Sequence, residues 1–473
     1  MKLKNLLLVL LVCALSFFQC SKPSKETKPN ILLICIDDLR PELKSYGANY
    51  ISSPNIDELA EKGVSFQKHF VNAPSCGPSR YTLLTGQYGP ATNDALFQRA
   101  NKIAQGATIA PSMPEWFRMH GYTTVSVGKV SHHPGGRGGK NWNDSTKNEI
   151  PNAWDRHLMP VAEWEHPRGM MHGLAHGEIR VKSGDMNVFQ TVKGNDDIYP
   201  DGAITEEALK QLKALATRNE NPFFLAIGII KPHLPFGAPK SYYDRYEGVE
   251  FPAIEHPQKP EGRSTWHGSN EFKQYNRWDK NPNIDTVFAD EVRRHYAACV
   301  SYADAQVGKI LGELKRTGAD KNTIVVLWGD HGWHLGEHSI WGKHSLFEES
   351  LHAPLIIQDP RMNNKSSKPN AIVETLDIFP TLCDLTGIET PKYTQGESLK
   401  AILVNPEISG HSAIAYKKGA STIRTSTHRM TLHQDGFVEL YDHTTAEMET
   451  KNVADEHPEL VEALKHALHT RLN

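Results

Sequence analysis

Charge of one sign is in short supply: 52 Lys and Arg stand against 55 Asp and Glu, a formal net charge of −3 over 473 residues. A near-neutral chain has no basic face with which to read nucleic acid or follow a long polyanion, so nucleic acid is not an expected partner. Any anionic ligand must be held by a few local groups. Cysteine is scarce too. Two of the six lie in the first twenty residues, leaving Cys35, Cys76, Cys299 and Cys383, three of them within apolar strand or helix patterns. That distribution argues against a disulfide framework. An apolar run long enough to span a bilayer is also lacking.

The one extended apolar run, Leu6 to Phe18, follows Lys2 and Lys4. It is too short for a membrane span and has the form of a secretory leader, so the chain is expected to be exported, to the periplasm or the cell surface. Cys20, followed by Ser21-Lys22-Pro23-Ser24-Lys25, resembles a bacterial lipoprotein processing site and so a lipid membrane tether. Phe17, Phe18 and Gln19 are not the small residues usual there, which keeps plain secretion open. The expected organisation is a leader over 1–20, a polar tether over 21–28, a catalytic domain over 29–404 and a C-terminal subdomain over 405–473.

Asn30 to Ile36 is apolar at every position after the first, as in a central parallel strand, and runs into Asp37-Asp38. Neighbouring side chains on a strand point to opposite faces, so both carboxylates reach one point only if the chain leaves the strand there. Ligands of open α/β sheets bind at the carboxyl ends of strands, and paired hard oxygens suit Ca²⁺ or, less well, Mg²⁺. Three further segments repeat this pattern of apolar strand followed by polar residues. Tyr122–Val127 leads to Lys129, His132 and His133. Pro222–Ile230 leads to Lys231-Pro232-His233-Leu234-Pro235, and Thr323–Trp328 leads to Gly329-Asp330-His331-Gly332. Segments 54–63, 205–217, 287–315, 373–386 and 458–472 have helical spacing, and 64–70 and 352–358 read as strands. Four short strands between 413 and 441, with a turn at Asp435-Gly436, predict a small antiparallel sheet.

The stretch Cys76-Gly-Pro-Ser-Arg-Tyr-Thr-Leu-Leu-Thr-Gly86 carries the most specific pattern. Pro78 and Ser79 open helices, which places Cys76 just before a helix N-terminus, where free N–H groups suit a sulfate or phosphate oxygen. The pattern resembles the sulfatase signature, matching at Cys76, Pro78, Ser79, Arg80, Thr85 and Gly86. The resemblance covers residues 29–404. It implies an alkaline-phosphatase-like α/β fold with a large, mostly parallel sheet flanked by helices, plus a small C-terminal antiparallel sheet with one helix. Asp37-Asp38-Leu-Arg-Pro, Lys231-Pro-His233 and Asp330-His331 are similar to the iduronate-2-sulfatase-like subgroup.

By resemblance, a maturation enzyme converts Cys76 to formylglycine, the catalytic nucleophile. Asp37, Asp38, Cys76, Asp330 and His331 are implied to hold one Ca²⁺. Lys129, Lys343 and Arg80 are implied to offset the charge on the sulfate and the attacking oxygen. Asp330 is implied as base, His233 with Lys343 as aids to the leaving alcohol, and His132 as the group that triggers sulfate release, with His133 a competing assignment. The implied substrate is a sulfated saccharide. Two other readings stay open: a phosphate or phosphonate monoester hydrolase of the same superfamily, and a non-catalytic glycan-binding lipoprotein.

His334-Leu-Gly-Glu337-His338 also matches an inverted zinc-peptidase motif. That motif needs a helix, and Gly329, Gly332, Gly336 and Gly342 disfavour one. Tryptophans 142, 154, 164, 266 and 278 fall in long irregular segments, where they either stack on sugar rings at a pocket wall or fill the loop core.

Overall fold

The computed structural model describes residues 28–218, 221–363 and 366–472. The expected leader, Cys20 and the tether up to residue 27 lie outside the described residues. Asn30–Ile36 lies inside a seven-stranded sheet, paired in parallel with Phe223–Ile229 on one side and Thr323–Gly329 on the other. Thr123–Gly128 and Arg156–Leu158 extend the first side in parallel. On the second side Leu355–Gln358 runs antiparallel to both of its neighbours, Thr323–Gly329 and the edge strand Val64–Ser65.

The continuous apolar run at Asn30–Ile36 follows from burial on both faces. Leu32, Ile34 and Ile36 enter a core with Val292, Tyr296 and Val300 of the helix Thr286–Arg316 and with Ile204 and Ala208 of Pro200–Arg218. Ile31, Leu33 and Cys35 face the opposite core, built with Leu83 and Leu84 of Cys76–Thr85 and Phe379 and Leu382 of Ile378–Thr386. Helices therefore cover both faces, and the carboxyl ends of the parallel strands meet along one edge.

Two expected elements divide differently. The segment read as one strand over 64–70 splits, because Lys68–Phe70 leaves the large sheet to pair in parallel with Ile372–Glu374. Its buried His69 finds partners there, at the Ala353 carbonyl and the Thr375 hydroxyl, 2.9 and 3.1 Å away. The same pairing delays the helix expected from 373, which starts at Ile378.

Beyond residue 412, Ala413–Lys417, Ala420–Arg424, His428–His433 and Val438–Asp442 form an antiparallel sheet. The helix Pro458–Leu472 packs Val461, Leu464 and Leu468 on its Ile414, Ile423, Met430 and Leu440. Cys35, Cys76, Cys299 and Cys383 are buried and unbridged. No helix among the described residues is long and apolar enough to cross a membrane.

Gly228 shows how tightly the strand ends are packed. It lies in register with Cys35 and Gly128, and a Cβ there would fall 2.0 Å from the Lys129 carbonyl carbon and oxygen. Both obstructing atoms are backbone, so relief requires moving Lys129. Gly228→Ala is therefore expected to cost about 1–3 kcal/mol, the usual range for overpacking, and to lower catalysis by displacing Lys129. A variant with wild-type melting temperature and turnover would show that this contact does not position Lys129.

Candidate active site

The site forms where four strand ends and one helix start converge. Asn30–Ile36 ends at Asp37, whose N–H donates to the Ile229 carbonyl at 3.1 Å. The next residue, Asp38, takes a left-handed conformation with φ 58°. Few non-glycine residues adopt it, and here it is the departure from the strand that brings both carboxylates to one point. Its N–H donates to Asp330 Oδ1 at 2.9 Å, while Tyr296 donates its hydroxyl proton to the Asp38 carbonyl at 2.8 Å. Asp330 begins where Thr323–Gly329 ends, with its own N–H on the Ile36 carbonyl.

Cys76 is the first residue of its helix, one position further in than expected. Ser75 caps it in extended conformation, and Asn93 Oδ1 accepts from the Gly77 N–H at 3.1 Å and from the Ser75 hydroxyl at 2.8 Å. Gly86, at φ 67°, closes the helix with its N–H on the Thr82 carbonyl. The Cys76 sulfur sits 3.3 Å from both His331 Nε2 and Lys343 Nζ.

Arg80, four residues along, is fully buried and spends its donors on the strand ends. Nε donates to Asp330 Oδ2 at 3.0 Å, one terminal nitrogen to Asp37 Oδ1 at 3.2 Å, and the other to the Lys129 and Val130 carbonyls. A guanidinium committed to two carboxylates and two carbonyls brings its charge to the site through them. Lys129 pairs with Asp37 Oδ2, and Lys343 pairs with Asp38 Oδ1 at 2.7 Å.

Burial resists ionisation of Asp37, but Lys129, His233 and Arg80 outweigh it and hold the carboxyl well below its ordinary range. For Asp330, burial and then the Asp37 charge win over Arg80 and push it up to about 7. Asp38 is pushed well above its usual value by burial, against the pull of Lys343. Burial, followed by the Asp37 charge, also raises the Cys76 thiol well above its ordinary value. An unmodified thiol here stays protonated and is a poor nucleophile.

Three features fit a divalent cation. Asp37, Cys76, Asp330 and His331 offer ligand atoms within 4.8 Å of one another, and Asp37, Asp38, Cys76 and His233 form an overlapping group. Asp38 Oδ2 is buried with no hydrogen-bond partner. His331 lies with Nδ1 3.0 Å from the Gly332 carbonyl, so an Nδ1–H donated there leaves the Nε2 lone pair facing the carboxylates, 3.3 Å from Asp38 Oδ1 and 3.5 Å from Asp330 Oδ1. Burial keeps that imidazole neutral. Oxygen donors dominate the set, which suits Ca²⁺ or Mg²⁺.

His132 and His133 separate clearly. His133 accepts Glu149 as partner through both its backbone N–H and Nδ1, and stacks on Phe97 at 4.2 Å. His132 is buried with Nδ1 unpartnered and uncharged, because burial and then Lys129 lower it. His233 follows cis peptides at Pro232 and precedes one at Pro235, with Nδ1 held 2.6 Å from the Leu234 carbonyl and Nε2 turned toward the site.

Sequence reasoning missed Glu271. Its Oε1 lies 3.6 Å from Lys343 Nζ and 3.8 Å from His233 Nε2, and its Oε2 lies 3.3 Å from His344 Nε2. It sits in an irregular segment with no motif around it, so its placement is a tertiary fact. His172, whose ring centroid is 5.4 Å from that of His233, also comes from an irregular segment. Of the five tryptophans, Trp142 lies beside His132, His133 and His172. Trp164 is core, donating to the Leu174 carbonyl, and Trp154 stacks on Phe224. Trp266 donates to the His338 carbonyl and Trp278 packs on Phe189, and Trp142 is the one of the five that lies against the histidines beside the site.

Three buried carboxylates, a nucleophile position at a helix start and lysines aimed at it define an α/β hydrolase of alkaline-phosphatase-like fold that acts on an anionic ester. The sulfatase family profile matches residues 29–388, and the C-terminal profile of N-sulphoglucosamine sulphohydrolase matches 336–473. The chain is 31% identical over 397 residues to iduronate 2-sulfatase of Homo sapiens, covering 76% of this chain and 70% of that one. Among solved structures, the phosphonate monoester hydrolase of Agrobacterium radiobacter superposes with a TM-score of 0.73 at 21% identity, over 94% of this chain and 95% of that one. A structure in complex with its substrate D-glucosamine-2-N,6-O-disulfate superposes with a TM-score of 0.69 at 21% identity, over 94% and 97%. The chain belongs to the sulfatase family and is a sulfuric ester hydrolase, which sets aside the non-catalytic reading.

Arg80 links Asp37, Asp330 and the Lys129 backbone without contact to solvent. Arg80→Met keeps most of the volume but leaves buried carboxylates without their partner, an effect of about 3–5 kcal/mol for such pairs. Urea unfolding is expected to show a loss of that order. A variant within about 0.5 kcal/mol of wild type, the usual surface effect, would show that the clamp is not needed for folding.

Proposed function

We infer that the enzyme hydrolyses sulfate esters at the exposed end of a carbohydrate, using an oxidised Cys76 and one divalent cation, Ca²⁺ by preference. The observation that carries the reading is the charge balance at Cys76. Asp37, Asp38 and Asp330 are matched by Arg80, Lys129 and Lys343. A cation held by Asp37, Asp38, Asp330 and His331 would keep most of its own charge for an incoming dianionic group. The hydrated aldehyde that sulfatases install at this position supplies two oxygens, one to attack sulfur and one to expel the bound sulfate.

The neighbouring residues then divide the proton transfers. Asp330, poised near neutrality, takes the proton of the attacking hydroxyl. Lys343 Nζ, kept protonated by Asp38 against the effect of burial, delivers a proton to the leaving alcohol, while His233, neutral with its Nδ1–H on the Leu234 carbonyl, turns its Nε2 lone pair toward the same space and accepts a hydrogen bond there. His132, neutral and unpartnered at Nδ1, removes the proton from the second hydroxyl. Lys129 braces Asp37 and faces the same space.

An end-on carbohydrate substrate is supported by burial, since Cys76, Lys129, His233 and Lys343 are each no more than 4% exposed. Such depth admits a terminal sulfate more readily than a chain running past. The relatives named for iduronate 2-sulfate and for a glucosamine disulfate point to sugars of that class. The leader-like start supports export, with Cys20 as the lipid attachment point, and the Cys76–Arg80 segment is what a maturation enzyme would recognise.

A second reading, phosphate or phosphonate monoester hydrolysis, is favoured by the likeness to the phosphonate monoester hydrolase. Rates on matched aryl sulfate and aryl phosphate decide between them, and preference for the phosphate would overturn the sulfatase chemistry. The Cys76 peptide of active enzyme is expected to carry an aldehyde in place of the thiol. Cys76→Ala should fold normally and lose turnover by at least ~10⁴-fold, as when a nucleophile is deleted. Full activity with an unmodified Cys76 thiol would refute the mechanism.

A further inference from the structure

We propose that His338, Glu349 and Glu449 form a second divalent-metal site, of the zinc class, at the seam between the large sheet's domain and the C-terminal sheet. The three ligand atoms lie within 4.8 Å of one another and share no residue with the catalytic group. They come from three separate segments: the loop after His334–Leu335, the short helix Glu348–Leu351, and the segment that follows the last strand, Val438–Asp442.

His338 supplies the observation that points to a ligand. Its side chain is 1% exposed, yet neither Nδ1 nor Nε2 has a hydrogen-bond partner. A buried imidazole with both nitrogens idle is uncommon, because its polar atoms have lost water without replacement. The ring is held in place by stacking on Phe347 at 4.5 Å, and its backbone is fixed by an N–H donated to the His256 carbonyl and a carbonyl accepting from Trp266 Nε1. Burial keeps the ring neutral, the form in which a nitrogen lone pair can bind a metal.

Charge bookkeeping at the seam reaches the same place. Glu348 is paired with Arg424 and Arg429, Glu449 with Arg429 and His443, and Glu337 with Arg40. Glu349 is paired with no arginine among the described residues. Its nearest basic group is His334 Nδ1 at 3.8 Å, and its Oε2 is buried without a hydrogen-bond partner. Four carboxylates thus face three arginines, and the unmatched one is next to the idle imidazole.

One imidazole nitrogen and two carboxylates make a nitrogen–oxygen donor set that Zn²⁺ accepts, with water as fourth ligand. Tetrahedral ligand atoms at about 2.0–2.2 Å from one ion lie about 3.3–3.6 Å apart, and the three atoms here, all within 4.8 Å of one another, need only small side-chain shifts to meet that. The Glu349 side chain is 22% exposed, which gives an ion a way in. The peptidase reading of His334-x-x-Glu337-His338 fails on geometry. His334 opens a two-residue strand and Glu337–Ser339 is a single 3₁₀ turn, so no helix puts both histidines on one face.

The test keeps the full chain in excess Ca²⁺, adds zinc chloride, removes unbound metal and counts zinc per chain by mass spectrometry. Wild type is expected to retain one zinc more than either His338→Ala or Glu349→Gln, and zinc should raise the melting temperature of wild type only. If His338→Ala fails to fold, the near-isosteric Glu349→Gln, checked for folding by circular dichroism and for turnover without zinc, carries the comparison alone. Equal zinc content in wild type and folded variant, or a zinc-soaked crystal with water between the three side chains, would overturn the site.

Discussion

The structure depends on placing three carboxylates side by side in a dry interior and keeping them there. Asp37, Asp38 and Asp330 are each fully buried at the ends of adjacent strands, where mutual repulsion would ordinarily protonate them or pull water in. Arg80 limits this by reaching from the helix that begins at Cys76 to two of them, while Lys129 and Lys343 arrive from separate loops; Asp37 stays ionised, and burial still raises Asp38 and Asp330. Cys76, the three aspartates, His331, Arg80 and the two lysines are thereby one electrostatic unit. Moving any part shifts the rest.

That unit explains features that are otherwise unrelated. The left-handed Asp38 turns its N–H to Asp330 and its carboxylate to Lys343 and His331, Gly228 lets the Lys129 backbone approach closely, and the paired strand ends bring Asp330 beside Asp37. Arg80, Lys129 and Lys343 pair with the three aspartates within the protein itself.

Much of this was legible in the chain because strand ends announce themselves. Apolar runs followed at once by Asp37-Asp38, Asp330-His331, Lys129 and His233 gave both the central sheet and the residues that meet at its edge. What was not legible depended on long-range contacts. Nothing local to Arg80 shows that its donors go to Asp37, Asp330 and two carbonyls. The split of 64–70 came from the partner needs of His69 inside the fold, and Glu271 arrives from an irregular loop. The choice between His132 and His133 turned on Glu149, sixteen residues away and unremarkable in sequence.

The central claim is that the residue at position 76 must carry two oxygens, one to form and one to break the link to sulfate. Cys76→Ser offers a single hydroxyl in the same place. Mixed with an aryl sulfate, that variant is predicted to release one phenol per chain in a burst and then stop, with sulfate bound covalently to the peptide containing position 76. Sustained turnover by Cys76→Ser, or a burst with no sulfate on that peptide, would contradict the account.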